Sequence, residues 1–197
     1  TNTRVPDRRL RVGFVSPDLK HHPVGYFVIG LFEHFIKDDI ETIVYSSCLA
    51  DNMTKRITAA SDIWHDVRWT SDEELAQKIL ADEVDILVDL SGHYTNNRLL
   101  VFARKPAPLQ VTWAGYVGTT GLSSIDYLVS DRHSTRVDEE KFFSEKILRM
   151  PNGWLCYTPP DYAPDVGPLP LIRNGYVTFA SFSTRLKLNV TVIDSWA

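Results

Sequence analysis

Cysteine is nearly missing from this 197-residue sequence, and the two present, Cys48 and Cys156, stand far apart. Neither sits in a CxxC or Cys/His spacing. A disulfide framework and a cysteine-built zinc site are therefore not indicated, and incidental thiols suit a reducing compartment. Long apolar runs are missing too. No stretch approaches the ~20 apolar residues needed to cross a bilayer. Residues 1–9 are polar and charged, without the apolar segment of a secretory leader. The expectation is a soluble, cytoplasmic chain that needs no membrane. Positive charge is not in excess, because 21 Lys and Arg face 25 Asp and Glu for a net charge of −4. That balance argues against a general nucleic-acid binder, while leaving a local basic patch open. An initiator Met is lacking, which suggests an excised or processed piece. Internal repeats and low-complexity tracts are also absent.

What is present reads as an ordinary globular core, with 44% apolar residues. Leu10–Ser16 (LRVGFVS) is a short β-branched run ending in Ser-Pro-Asp, a buried strand followed by a turn. Pro23 suits a first helical turn, and Val24, Phe27, Val28, Leu31 and Phe35 recur at helical spacing, predicting a helix over 23–36. Glu41–Ser46 is a second strand, 51–60 a weaker helix and 63–67 a short extended piece. Ser71 with Glu74 three residues on has the form of a capping box for a helix over 71–81. Asp85–Leu90 (DILVDL) is the clearest strand. Asn97 can cap a helix over 98–104 that Pro106 and Pro108 stop. Leu109–Trp113, Tyr127–Ser130 and Lys146–Arg149 are further strands. This alternation predicts an α/β fold, a mostly parallel, Rossmann-like sheet with helices on both faces.

Composition shifts over 151–170, which hold six prolines and two glycines. The expected division is a Rossmann-like lobe over 1–150, a proline-rich linker over 151–172, and the start of a truncated second lobe over 173–197. Within that last part Tyr176–Phe182 reads as a strand and Asn189–Trp196 as the opening of a helix.

In open α/β sheets, ligands bind beyond the carboxyl ends of the strands. Three such loops carry polar groups. In Ser16–Pro23, His22 stands at a helix start, where the positive end of the backbone dipoles favours a neutral imidazole. It would take a proton from a hydroxyl, hold a bound group, or simply cap the helix. In Asp89–Asn97, Asp89, Ser91, Gly92 and His93 follow the clearest strand. Asp89 could orient an imidazole, hold a substrate hydroxyl, or serve as a turn aspartate. In Gly115–Gly121, Gly118, Thr119 and Thr120 could cradle a polar group on backbone N–H donors, or form a structural turn. No nucleophile elbow, P-loop or zinc helix is present. His34, His65 and His133 read as surface or packing residues, and the five tryptophans as core.

Five stretches in order carry a resemblance: RLRVGFVSPDLKHHPVG, DILVDLSGH, RKPAPLQVTWAGYVGTTG, IDYLVSD and SEKILRMP. They resemble the catalytic region of the O-linked N-acetylglucosamine transferase family, with its bacterial and SPINDLY-like members. The resemblance implies the N-terminal lobe of a two-lobed GT-B fold, with the sugar nucleotide held mainly by the other lobe. It implies inverting, metal-free transfer of a sugar, N-acetylglucosamine first, from a UDP-sugar co-substrate to Ser or Thr hydroxyls of an acceptor protein. Tetratricopeptide repeats commonly precede that region.

Residue by residue, His22 falls on the family's His-Pro motif. Asp89, Ser91 and His93 fall on the loop lining the acceptor and sugar side, and Gly118, Thr119 and Thr120 on the loop near the reacting centre. Lys187 takes the place of the lysine that contacts the donor diphosphate. Thr184 stands at a donor contact where the family more often has Asn or Gln, and Tyr94 where bacterial relatives often have Thr. Residues 1–197 alone are expected to be an inactive part of the enzyme. Two alternatives stay open: a non-catalytic polypeptide-binding or assembly module, and transfer with another donor or acceptor, such as a fucosyl donor or Asn.

Overall fold

The computed structural model describes residues 2, 5, 7–35 and 37–196. Seven short strands form one sheet: β1 Leu10–Ser16, β2 Ile40–Ser46, β3 Ile63–Asp66, β4 Ile86–Asp89, β5 Leu109–Thr112, β6 Tyr127–Ser130 and β7 Lys146–Arg149. Their order is β3-β2-β1-β4-β5-β6-β7, and every pairing is parallel. Parallel neighbours need crossovers. Four of them are helices: α1 Pro23–His34, α2 Asn52–Ala60, α3 Asp72–Ala81 and α4 Leu99–Ala103. A 3₁₀ turn over Val137–Phe142 precedes β7.

Because successive strand side chains point to opposite faces, each buried run feeds two cores. Phe14, Val44 and Val88 pack on one face with Val28, Ile29 and Phe32 of α1 and Ile57 of α2. Val15, Tyr45 and Leu87 pack on the other with Leu75 and Ile79 of α3 and Phe102 of α4. The predicted capping box at Ser71 and Glu74 is present, and α2 has a second, in which Asp51 and Thr54 exchange hydrogen bonds. The piece over 63–67 is a true edge strand, paired to β2. Ile36, the predicted end of α1, lies outside the described residues. Among the described residues no helix is long and apolar enough to cross a membrane.

Asp85 fastens the amino end of the sheet. Its carboxylate accepts from Asn2 Nδ2 at 2.8 Å, Arg8 Nη1 at 2.6 Å and the Arg11 N–H at 3.0 Å. Burial opposes the charge, but these donors outweigh it and hold the carboxyl at about 2. A carboxylate depressed in the folded state stabilises fully above its unfolded value and loses that contribution as pH falls through the folded one. The window runs from about pH 4 down to about pH 2, and after solvent screening it holds about 1–2 kcal/mol. In urea titrations, Asp85→Asn should unfold at lower urea than the unsubstituted chain at pH 6. The gap should close near pH 2.

The chain divides into two compact units, Thr1–Pro160 and Asp161–Ala197. The proline-rich stretch is thus split. Residues 151–158 return along the first unit, where the Trp113 indole N–H donates to the Trp154 carbonyl at 2.6 Å. The Thr158 N–H donates to the Tyr26 carbonyl at 3.1 Å. The Tyr157 ring lies 6.3 Å from Tyr26 and 6.4 Å from Phe27.

The second unit holds α5 Pro170–Asn174, a 3₁₀ turn Arg185–Lys187 and α6 Val190–Trp196. None of its described residues is buried, and Phe179 is 93% exposed. The strand expected at Tyr176–Phe182 does not form. An extended segment needs a neighbour to take its backbone hydrogen bonds, and among the described residues 161–196 there is none.

Candidate active site

Strand order reverses between β1 and β4, where open parallel sheets leave a crevice at their carboxyl ends. The loop after β1, the loop after β4 and the loop after β5 meet there around a cleft of about 260 Å³. One wall is Asp18, His22 and the first turns of α1 through Phe27. A second is Leu90, Ser91 and Tyr94, and the floor is Ala114 and Gly115. Their approach is close. A Cβ on Gly115 would sit 2.0 Å from the Leu90 carbonyl oxygen and 2.7 Å from the Ser91 Cα. Just before it, Ala114 has φ +64°, and the Gly115 N–H reaches back to the Trp113 carbonyl at 2.8 Å. That three-residue turn with a positive φ is the rarer, strained γ form, here set at the edge of the cleft.

His22 is the N-cap of α1. Its backbone is extended, and Nδ1 accepts the Val24 N–H at 3.3 Å. An Nδ1 that accepts carries no proton, so in the neutral ring the proton is on Nε2. His22 therefore offers a donor to a ligand while its acceptor is tied to the helix. The Tyr94 ring lies tilted across it, 6.0 Å between centroids.

Asp89 lies beneath the cleft and does not border it. It is buried, and its carboxylate accepts three times: from the Ser91 N–H at 3.1 Å, the Gly92 N–H at 2.8 Å and the Thr112 hydroxyl at 2.7 Å. Burial pushes this carboxyl above the usual range against the pull of those donors. Asp89 ties the loop after β4 to β5 and leaves Ser91 facing the cleft. Gly92 has φ +52°. His93 is exposed, its ring edge-on to Tyr116 at 5.5 Å.

Gly118, Thr119 and Thr120 stand away from the cleft wall. The Thr119 hydroxyl donates to Glu145 at 2.7 Å, and the Thr120 N–H donates to the same carboxylate at 2.7 Å. The Thr120 hydroxyl donates there too. Burial would raise the Glu145 carboxyl, but these three donors outweigh it and hold it below the usual range. The threonines thus belong to a clasp that holds the loop after β5 to the start of β7.

Sequence reasoning gave Glu145 no role, although it lies in the SEKILRMP stretch. Asp18 was likewise passed over, although it follows β1 in Ser-Pro-Asp. Thr184 and Lys187 lie in the second unit, exposed, joined by the Lys187 N–H donating to the Thr184 carbonyl at 2.9 Å. Among the described residues no group of three His, Cys, Asp or Glu could hold a metal ion.

The same fold occurs in a solved structure. A mutant O-GlcNAc transferase of Thermobaculum terrenum superposes with a TM-score of 0.81 at 40% identity, over 85% of this chain and 33% of that one. A Solanum lycopersicum protein named probable UDP-N-acetylglucosamine–peptide N-acetylglucosaminyltransferase SPINDLY is 39% identical over the whole chain. An Arabidopsis thaliana protein of the same description, SEC, is 30% identical over 96% of the chain. The chain spans 22% of the tomato protein and 20% of the Arabidopsis one. Residues 1–158 match the model of glycosyl transferase family 41, and with a fold shared with a solved relative at 40% identity, the chain belongs to that family.

Proposed function

We propose that this chain is the acceptor-side lobe of a protein O-glycosyltransferase that moves N-acetylglucosamine from UDP-N-acetylglucosamine to Ser or Thr hydroxyls. The observation that carries this is the convergence of the loops after β1, β4 and β5 on one cleft, in a family 41 chain. Relatives named as peptide N-acetylglucosaminyltransferases support the donor and the acceptor class. Residues 173–197 begin the donor lobe, and neither binding of the sugar nucleotide nor turnover is complete without the rest of it.

In this reading the acceptor segment lies across the carboxyl edge of the sheet and puts one hydroxyl into the cleft. The Nε2–H of His22 donates to a ligand oxygen there. Ser91 and Tyr94 line the path, and Asp89 and Glu145 keep the loops rigid, because a transferring site must hold its geometry to fractions of an ångström. Lys187 supplies a positive charge for the donor diphosphate, which gathers charge as the glycosidic bond breaks. A side-chain cation in that role lets the reaction proceed without a metal, and attack from the face opposite the diphosphate inverts the anomeric centre. The site of action is the cytoplasm, with tetratricopeptide repeats ahead of this region presenting the acceptor.

The full-length protein, incubated with a peptide library and separately with UDP-N-acetylglucosamine, UDP-glucose and GDP-fucose, tests this by mass spectrometry. N-Acetylhexosamine on Ser or Thr, undiminished by EDTA, is the expected product. Fucose addition, Asn modification, or peptide binding without any transfer would each replace this reading with one of its rivals.

A further inference from the structure

Among the described residues, Asp18 is the one carboxylate that borders the cleft. Its side chain is only 10% exposed, yet its sole charged neighbour among the described residues is Lys20, with Nζ 3.4 Å from Oδ1. Other carboxylates at this edge are saturated by the chain. Asp89 accepts from three donors, Glu145 from three, and Asp51 from the His21 and Thr54 N–H groups and the Thr54 hydroxyl. The Asp18 backbone is held separately, its N–H donating to the Ser16 hydroxyl at 3.0 Å. The loop is thus fixed without help from the carboxylate.

Asp18 borders the cleft and its carboxylate is tied only loosely, by one long contact with Lys20, so it is open to a group that enters the cleft. Such a group is matched to a donor that arrives with a ligand. The neighbouring imidazole cannot fill the same role, because its acceptor nitrogen is tied to Val24. The Ser91 and Tyr94 hydroxyls are far weaker proton acceptors than a carboxylate.

We propose that Asp18 is the proton acceptor for the attacking hydroxyl, an assignment that rests on the transferase reading above. The hydroxyl oxygen bonds to the anomeric carbon of the sugar nucleotide. The bond from that carbon to the phosphate oxygen breaks, its electron pair leaving with the diphosphate. The hydroxyl proton passes to the Asp18 carboxylate. Lys20 lies beside the carboxylate, with Nζ 3.4 Å from Oδ1, before the acceptor enters.

The test is kcat against pH for the full-length enzyme and its Asp18→Asn variant, with sugar-nucleotide affinity and thermal midpoint measured alongside. The isosteric amide should lower kcat by about 10²–10⁴, the usual range for a general base. It should flatten the acidic limb of the profile and leave nucleotide affinity within about threefold. The thermal midpoint should stay close to that of the unsubstituted enzyme, since Lys20 is the carboxylate's one charged neighbour among the described residues. A kcat within about threefold of the unsubstituted enzyme overturns the assignment. So does a lowered midpoint with an unchanged pH profile, which marks a structural aspartate. If the unsubstituted enzyme transfers no sugar at all, the transferase reading itself falls; if it does transfer and Asp18→Asn is silent, only the role of Asp18 falls.

Discussion

His22→Ala is expected to lower turnover of the full-length enzyme by about 10²–10³, the cost of removing one fixed donor from a reacting centre. The same substitution also removes the α1 cap, since Nδ1 holds the Val24 N–H, at a cost of about 1 kcal/mol. The two effects separate with His22→Ser. Serine is a preferred cap, so stability should return to that of the unsubstituted protein or exceed it. Its hydroxyl is too short to reach where the imidazole Nε2–H reaches, so turnover should stay low. Urea midpoints and kcat measured on all three proteins decide the matter. Recovery of turnover with His22→Ser would make His22 a cap and nothing more.

Gly115→Ala should be the most damaging single methyl group in the first unit. The added Cβ would lie 2.0 Å from the Leu90 carbonyl oxygen and 2.5 Å from its carbon, both backbone atoms. Backbone cannot swing aside as a side chain can, so the loops after β4 and β5 must part. Parting them strains the β4–β5 ladder and opens the floor of the cleft. The expected loss is about 3 kcal/mol or more, read as a fall in the urea midpoint, at the upper end for overpacking. Gly121→Ala is the control. No atom lies within 4 Å of a Cβ there, but φ is +74°, so only the backbone penalty of about 1–2 kcal/mol applies.

Much of the sheet was legible in its residues. LRVGFVS and DILVDL are apolar on both faces, as central parallel strands must be, and Ser71 with Glu74 marked the start of α3. The gathering of the three loops followed from their positions after strand ends. The roles inside them did not. Whether Asp89 meets a ligand or its own loop depends on Thr112, a residue of the neighbouring strand. The use of Thr119 and Thr120 likewise depends on Glu145, a partner across intervening chain that no local spacing announces. Asp18 escaped notice for the opposite reason: it differs from other turn aspartates only in having few partners, which spacing cannot reveal. The strand expected at Tyr176–Phe182 misled because β-branched and aromatic residues signal a preference for extended backbone, while pairing requires a neighbour.

The placement of the cleft between β1 and β4 also bears on how the protein acquires it. These adjacent strands are separated in the chain by β2, β3 and three helices, and the floor comes later still, after β5. Loop-closure entropy must be overcome before β1 and β4 can meet, and pairings this distant form late and slowly. On a ribosome, the β1-β2-β3 half would emerge with a carboxyl-end wall already shaped but facing nothing. Competence for ligand would then arise in a single late event, when the second half docks on β1, so a nascent chain carries one wall and no cleft.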